Sequence, residues 1–129
     1  MAIILNLKMY HIYVAFFSIF LGVIAQLIMK KGMNEIGTVE LSQIFEINLL
    51  LKIFTNRYIV LGVMFYVFGL LFWLIALSSM DVSKTYPLQS LGYVIVLFGS
   101  FFFLGESLSL SRGFGIFLII LGSLFVIKS

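Results

Sequence analysis

Four uninterrupted apolar stretches decide what this chain can fold into. "HIYVAFFSIFLGVIAQLIM" runs from His11 to Met29, and "YIVLGVMFYVFGLLFWLIAL" from Tyr58 to Leu77. A third stretch begins between Val82 and Pro87 and ends near Leu104; the fourth, "LSRGFGIFLIILGSLFVI", occupies Leu110 to Ile127. A helix needs about 20 mostly apolar residues to cross a hydrocarbon layer, and each stretch has that reach. The stretches are continuous rather than alternating, which predicts helices and not the strands of a barrel. Hydrophobic residues make up 63% of the chain and charged ones 10%, where soluble domains carry roughly 45–50% and about 25%. The excess must face lipid. The expected fold is an all-α membrane protein, one four-transmembrane-helix bundle over residues 1–129. The first stretch is too long and too evenly apolar for a signal peptide.

The same composition excludes several chemistries. There is no cysteine, hence no disulfide framework, thiol nucleophile or thiolate metal site. The single histidine, His11, opens the first stretch and reads as an interfacial residue, so neither a metal centre nor a cofactor site is expected. The net charge of +3 sits in short segments between apolar runs, which points to membrane topology and not to nucleic acid.

One long connection runs from Lys30 to Arg57. Within "LSQIFEINLLLKIFTN" the apolar residues Leu41, Ile44, Phe45, Leu49 and Ile53 recur at helical spacing. This predicts either a short helix in the membrane interface or an N-terminal extension of the second span. The other connections are short, so neighbouring helices should be antiparallel. Lys30, Lys31, Lys52, Arg57 and Arg112 fall on one side of the bundle; Lys8, Lys84, Lys128 and the terminal amine fall on the other. That bias leaves both orientations open and suits an antiparallel pair of four-helix units or a heteromeric partner.

Small residues recur seven apart: Gly62 and Gly69, Gly92 and Gly99, Gly115 and Gly122, with Ala15 and Gly22 in the first span. Two turns bring each pair to one face, where backbones can approach closely. Such stripes serve plain packing or let helices rock against one another. Polar and aromatic residues share those faces: Ser18 and Gln26; Tyr66 and Trp73; Gln89, Tyr93 and Ser100. Amides and phenols that lack water must turn inward, toward a partner or a wet cavity.

The third stretch opens with "MDVSKTYPLQSLGYV". Asp81 is positioned to cap a helix with its side chain. A helix that starts there carries Pro87 inside it, leaves the Ser83 carbonyl without its donor and bends. The alternative is a helix beginning at Pro87, but the bent version gives a full-length span. Lys84 then lies in the first turn, where the helix dipole disfavours a cation; it either snorkels to the headgroups or meets an anion such as a lipid phosphate.

"AQLIMKKG", "YPLQSLGYV", the "GE" at Gly105-Glu106 and the glycine-bearing last span together resemble the EamA-type repeat of the drug/metabolite transporter superfamily. The resemblance covers nearly the whole chain and is weakest before Arg57. In size it is similar to the small multidrug resistance proteins, which implies their four-helix fold and a dimer. Those exporters carry a membrane-embedded glutamate in span one, where this chain has Gly22. Gln26 four residues before Lys30, and the Tyr86-Pro87 element, instead resemble the flippase subunits that move aminoarabinose–undecaprenyl phosphate across the bacterial inner membrane.

The resulting expectation is a multi-pass transporter or flippase subunit of the bacterial cell membrane, not an enzyme. Its cargo would be an amphipathic substrate such as a polyprenyl-phosphate-linked sugar, and it would act as a homodimer or as a heterodimer with a similar small subunit. Gln26, Trp73, Tyr86, Gln89 and Tyr93 are the expected lining of the path, with Lys84 on the phosphate. The alternatives are an exporter of small hydrophobic or cationic metabolites, using aromatic faces, and a non-transporting accessory subunit. Glu106 and Arg112 are an expected interfacial pair.

Overall fold

In the computed structural model, which describes residues 1–129, each apolar stretch is a helix and there is no strand. The helices are α1 (Ala2–Ile36), α2 (Ile47–Thr55), α3 (Arg57–Leu77), α4 (Val82–Leu88), α5 (Ser90–Leu104) and α6 (Leu110–Lys128). Four spans are long and apolar enough to cross a membrane: α1, α3, the α4–α5 unit and α6. The first outgrows its expected bounds. At 35 residues, α1 is about 52 Å long at 1.5 Å per residue, well beyond the ~30 Å hydrocarbon layer. The polar residues Asn6, Lys8, Asn34 and Glu35 end the apolar run but not the helix.

The small residues set the register of the central pair. Ser18 Oγ donates to Gly69 O at 2.6 Å, a buried bond between α1 and α3. A Cβ on Gly62 would press on Met29 and lie 2.9 Å from Ala25 O; one on Gly32 would meet Asn56 and Ile59. Rising numbers on α1 pair with falling numbers on α3, so the two helices are antiparallel and in near-backbone contact. Gly92 of α5 rests on Ile19 and Val23, and Gly99 on Leu27. Here numbers rise together, so α5 runs parallel to α1. Val14, Ala15, Ile19, Val23, Trp73, Ala76 and Leu88 form the core of the bundle.

The fourth stripe behaves differently. A Cβ on Gly113, Gly115 or Gly122 would meet nothing within 4 Å, and α6 has no buried residue. It packs on α4 and α5 through other side chains, so the expected close approach at Gly115 and Gly122 does not occur within one chain. In lipid the apolar pattern does not say which face of a helix meets protein.

Both open readings of the connections are resolved. Asn56 (φ −68°, ψ 124°) separates α2 from α3, so α2 is its own helix and not an extension of the span. The Asn56 side chain accepts from the N–H groups of Tyr58 and Ile59 at 3.0 and 3.2 Å, satisfying two donors of the α3 terminus. The third span starts at Val82 with Pro87 inside it, and the helix breaks just after, at Gln89. The turn is tightened there: Gln89 N–H bonds Tyr86 O at 3.0 Å, and Gly92 N–H bonds Gln89 O at 2.9 Å. Asp81 stands at the cap position, but its side chain makes no capping bond. Its carbonyl does the work, accepting from Lys84 N–H at 3.0 Å, Thr85 N–H at 2.9 Å and Thr85 Oγ1 at 2.7 Å. The expected Glu106–Arg112 pair is absent as well. The Arg112 guanidinium donates to Ser107 O at 2.7 Å, a bond its own loop presents at no cost in side-chain reach.

Candidate functional site

The close approach of α1 and α3 leaves a gap on the side that faces the α4–α5 break. A cleft of about 480 Å³ opens there. From α1 it takes Ser18, Ile19, Gly22, Val23 and Gln26; from α3, Tyr66, Gly69, Leu70 and Trp73. Tyr86, Gln89, Gly92, Tyr93 and Val96 complete it. Glycine is what makes the room: a Cβ on Gly22 would meet nothing within 4 Å, so the position points into open space.

Tyr86 and Gln89 flank the break after Pro87. Three residues apart, they lie about 60° from each other around the helix axis, and both line the cleft. Trp73 is buried, and its ring stands edge-on to Tyr86, with centroids 6.2 Å apart and planes at 78°. That is a favourable aromatic geometry. The wider mouth is aromatic too: Tyr66, Tyr86 and Tyr93 are 47%, 60% and 48% exposed.

The polar groups of the lining are nearly all free. Ser18 is spent on Gly69 O. The amides of Gln26 and Gln89, the three phenols and the Trp73 indole N–H make no hydrogen bond within the chain, and none is sealed away from the cleft. In an apolar medium an unpaired polar group costs about 1–3 kcal/mol. The cleft therefore holds water or a polar ligand when the spans lie in lipid. No lining side chain is charged. The site can accept and donate neutral hydrogen bonds and stack on a ring face.

Five of the six expected residues meet in this cleft: Gln26, Trp73, Tyr86, Gln89 and Tyr93. Lys84 does not line it. It is exposed, and at two residues before Tyr86 it sits about 200° around α4, on the far face. Tyr66 was not among the expected residues, although its spacing of seven from Trp73 places it on the same face.

The family model of the "EamA-like transporter family" matches residues 47–128, from α2 to the end of α6 and more than half of the chain. Three relatives are named "Probable 4-amino-4-deoxy-L-arabinose-phosphoundecaprenol flippase subunit ArnF". That of Shewanella sediminis is 33% identical, covering 95% of this chain and 91% of its own. That of Proteus mirabilis is 35% identical over 81% and 82%, and that of Serratia proteamaculans 30% identical over the same shares. No solved structure matches. Four helices of spanning length, together with these bacterial relatives, make the protein a multi-pass component of the bacterial inner membrane. On the family match and on relatives this similar over most of its length, the chain belongs to the EamA-like transporter family.

Proposed function

We propose that this chain is a subunit of a flippase that carries the head of a polyprenyl-phosphate-linked sugar across the inner membrane. The observation that carries the reading is the cleft between α1, α3 and the α4–α5 break, with its unpaired amides, phenols and indole. A sugar head presents several hydroxyls and at least one apolar ring face. Each hydroxyl matches an amide or a phenol, and the ring face matches Trp73 or a tyrosine. The lipid tail stays in the acyl layer while the head passes. The names of the relatives support this cargo. The protein catalyses no covalent step; its task is to lower the cost of taking polar groups through hydrocarbon.

Lys84, at the outer face of α4, meets the phosphate at headgroup depth and not in the cleft. The chain works paired, with a second copy or a similar four-helix subunit, in keeping with the word "subunit" in its relatives' names.

The test is flux of a fluorescent polyprenyl-phosphate-linked amino sugar between the leaflets of proteoliposomes. A neutral hydrogen bond contributes about 0.5–1.5 kcal/mol, and 1.36 kcal/mol is tenfold in rate. Removing both amides, with Gln26→Leu and Gln89→Leu together, is expected to slow flux roughly 5- to 100-fold. Flux at the parent rate in that variant would mean that the head travels elsewhere.

A further inference from the structure

At the end of the bundle opposite Lys84, α1 departs and α3 enters, and three side chains converge. Lys31 Nζ lies 5.0 Å from the centroid of the Tyr58 ring. Arg57 Cζ lies 4.8 Å from the same centroid, and its Nη2 donates to Tyr58 Oη at 3.2 Å. One phenol thus gathers two cations. The carboxylate on this turn of α1, Glu35, accepts from Asn56 Nδ2 at 3.0 Å and shares a polar hollow with Lys52, Thr55 and Asn56. Neither Lys31 nor Arg57 is ion-paired. Both stand at the amino end of α3, whose dipole adds positive potential.

Helix α2 lies alongside and has three faces. Leu49, Leu50 and Ile53 are half-buried against the bundle, and Asn48, Lys52 and Thr55 form a polar face. Ile47, Leu51 and Phe54 form an apolar face that is 57–73% exposed. Phe45, just before it, is 89% exposed. An apolar face beside a polar one, on a helix hinged to a membrane span at Asn56, fits the boundary between headgroups and acyl chains. That places the Lys31–Arg57–Tyr58 cluster at the depth of lipid phosphates, where tyrosine rings favour the interface.

We propose that Lys31, Arg57 and Tyr58 form a seat for the phosphate of an anionic phospholipid, with α2 lying in the headgroup layer beside it. The guanidinium offers a fork of donors to phosphate oxygens, Lys31 adds a point charge, and Tyr58 holds both in place. The bilayer is the occupant because the apolar face of α2 continues the lipid-facing surface of the spans. The inference stands on the charge and shape of this end of the bundle and does not depend on what passes through the cleft.

The test uses the full-length protein in phosphatidylcholine vesicles doped with spin-labelled phosphatidylglycerol, with spin-labelled phosphatidylcholine as reference. The motionally restricted fraction reports the lipid held by protein. The parent should prefer the anionic label by about fivefold for each cation engaged, less at high salt. Lys31→Gln with Arg57→Gln should abolish the excess, while Lys31→Arg with Arg57→Lys should keep it. Lys8→Gln with Lys128→Gln, at the other end, should leave it unchanged. The proposal fails if the Lys31 and Arg57 glutamine pair keeps the preference, if the Lys8 and Lys128 pair removes it equally, or if salt has no effect. Displacement of the labelled lipid by inorganic phosphate at millimolar concentration would also overturn it, since the seat would then be one for a free anion.

Discussion

Gly62 and Gly122 carry the same missing side chain into opposite surroundings. A Cβ at Gly62 would press on Met29 and come within 2.9 Å of Ala25 O, while one at Gly122 meets open space. Gly62→Ala must push α1 from α3, and overpacking of this kind costs about 1–3 kcal/mol. Gly122→Ala displaces nothing and gains up to about 1 kcal/mol of helix propensity. Thermal unfolding in detergent should therefore move in opposite directions for the two variants. Ser18→Ala removes the buried bond to Gly69 O and should cost about 0.6–1.7 kcal/mol, the range for hydrogen bonds between membrane helices. The gathering of Gln26, Trp73, Gln89 and Tyr93 was legible because each shares a face with a glycine or serine that turns inward. Lys84, expected on the phosphate, stands apart from these groups because the helical turn carries it and Tyr86 to opposite sides of α4.

At the scale of elements, the spans were legible from apolar length alone, and α3 matches its expected bounds within one residue. The reach of α1 was not, because hydropathy marks where lipid ends and not where a helix does. Asn34 and Glu35 leave the apolar run yet continue its hydrogen bonding, until Gly37, at φ 95°, closes it. The boundary between α2 and α3 was open for a related reason: the periodicity continues across Asn56, and the break lies in a backbone angle. Asn56→Ala removes a cap that holds two N–H groups and the link to Glu35. The expected cost is about 0.5–2 kcal/mol, seen as faster hydrogen exchange at the amides of Tyr58 and Ile59.

For the whole molecule, the antiparallel order of α1 and α3 and the parallel order of α1 and α5 place the connections on two sides. Ser42 and Ser109 lie at one end and Ser79 and Ser129 at the other. The chain has no cysteine, so single replacements of these serines by cysteine give a clean map. A membrane-impermeant maleimide should label the first two from one side of the bilayer and the last two from the other. The peripheral place of α6 was not legible, since a helix bathed in lipid and one packed on neighbours have the same greasy composition.

The neutral lining of the cleft reaches beyond recognition. Gly22 is open to the cleft, and the lining holds no aspartate, glutamate, histidine, lysine or arginine. A lining with no carboxylate to exchange protons predicts flux driven by the cargo's own gradient, so dissipating the proton gradient with an ionophore should leave the initial rate in proteoliposomes as it was, and a slowed rate would overturn this.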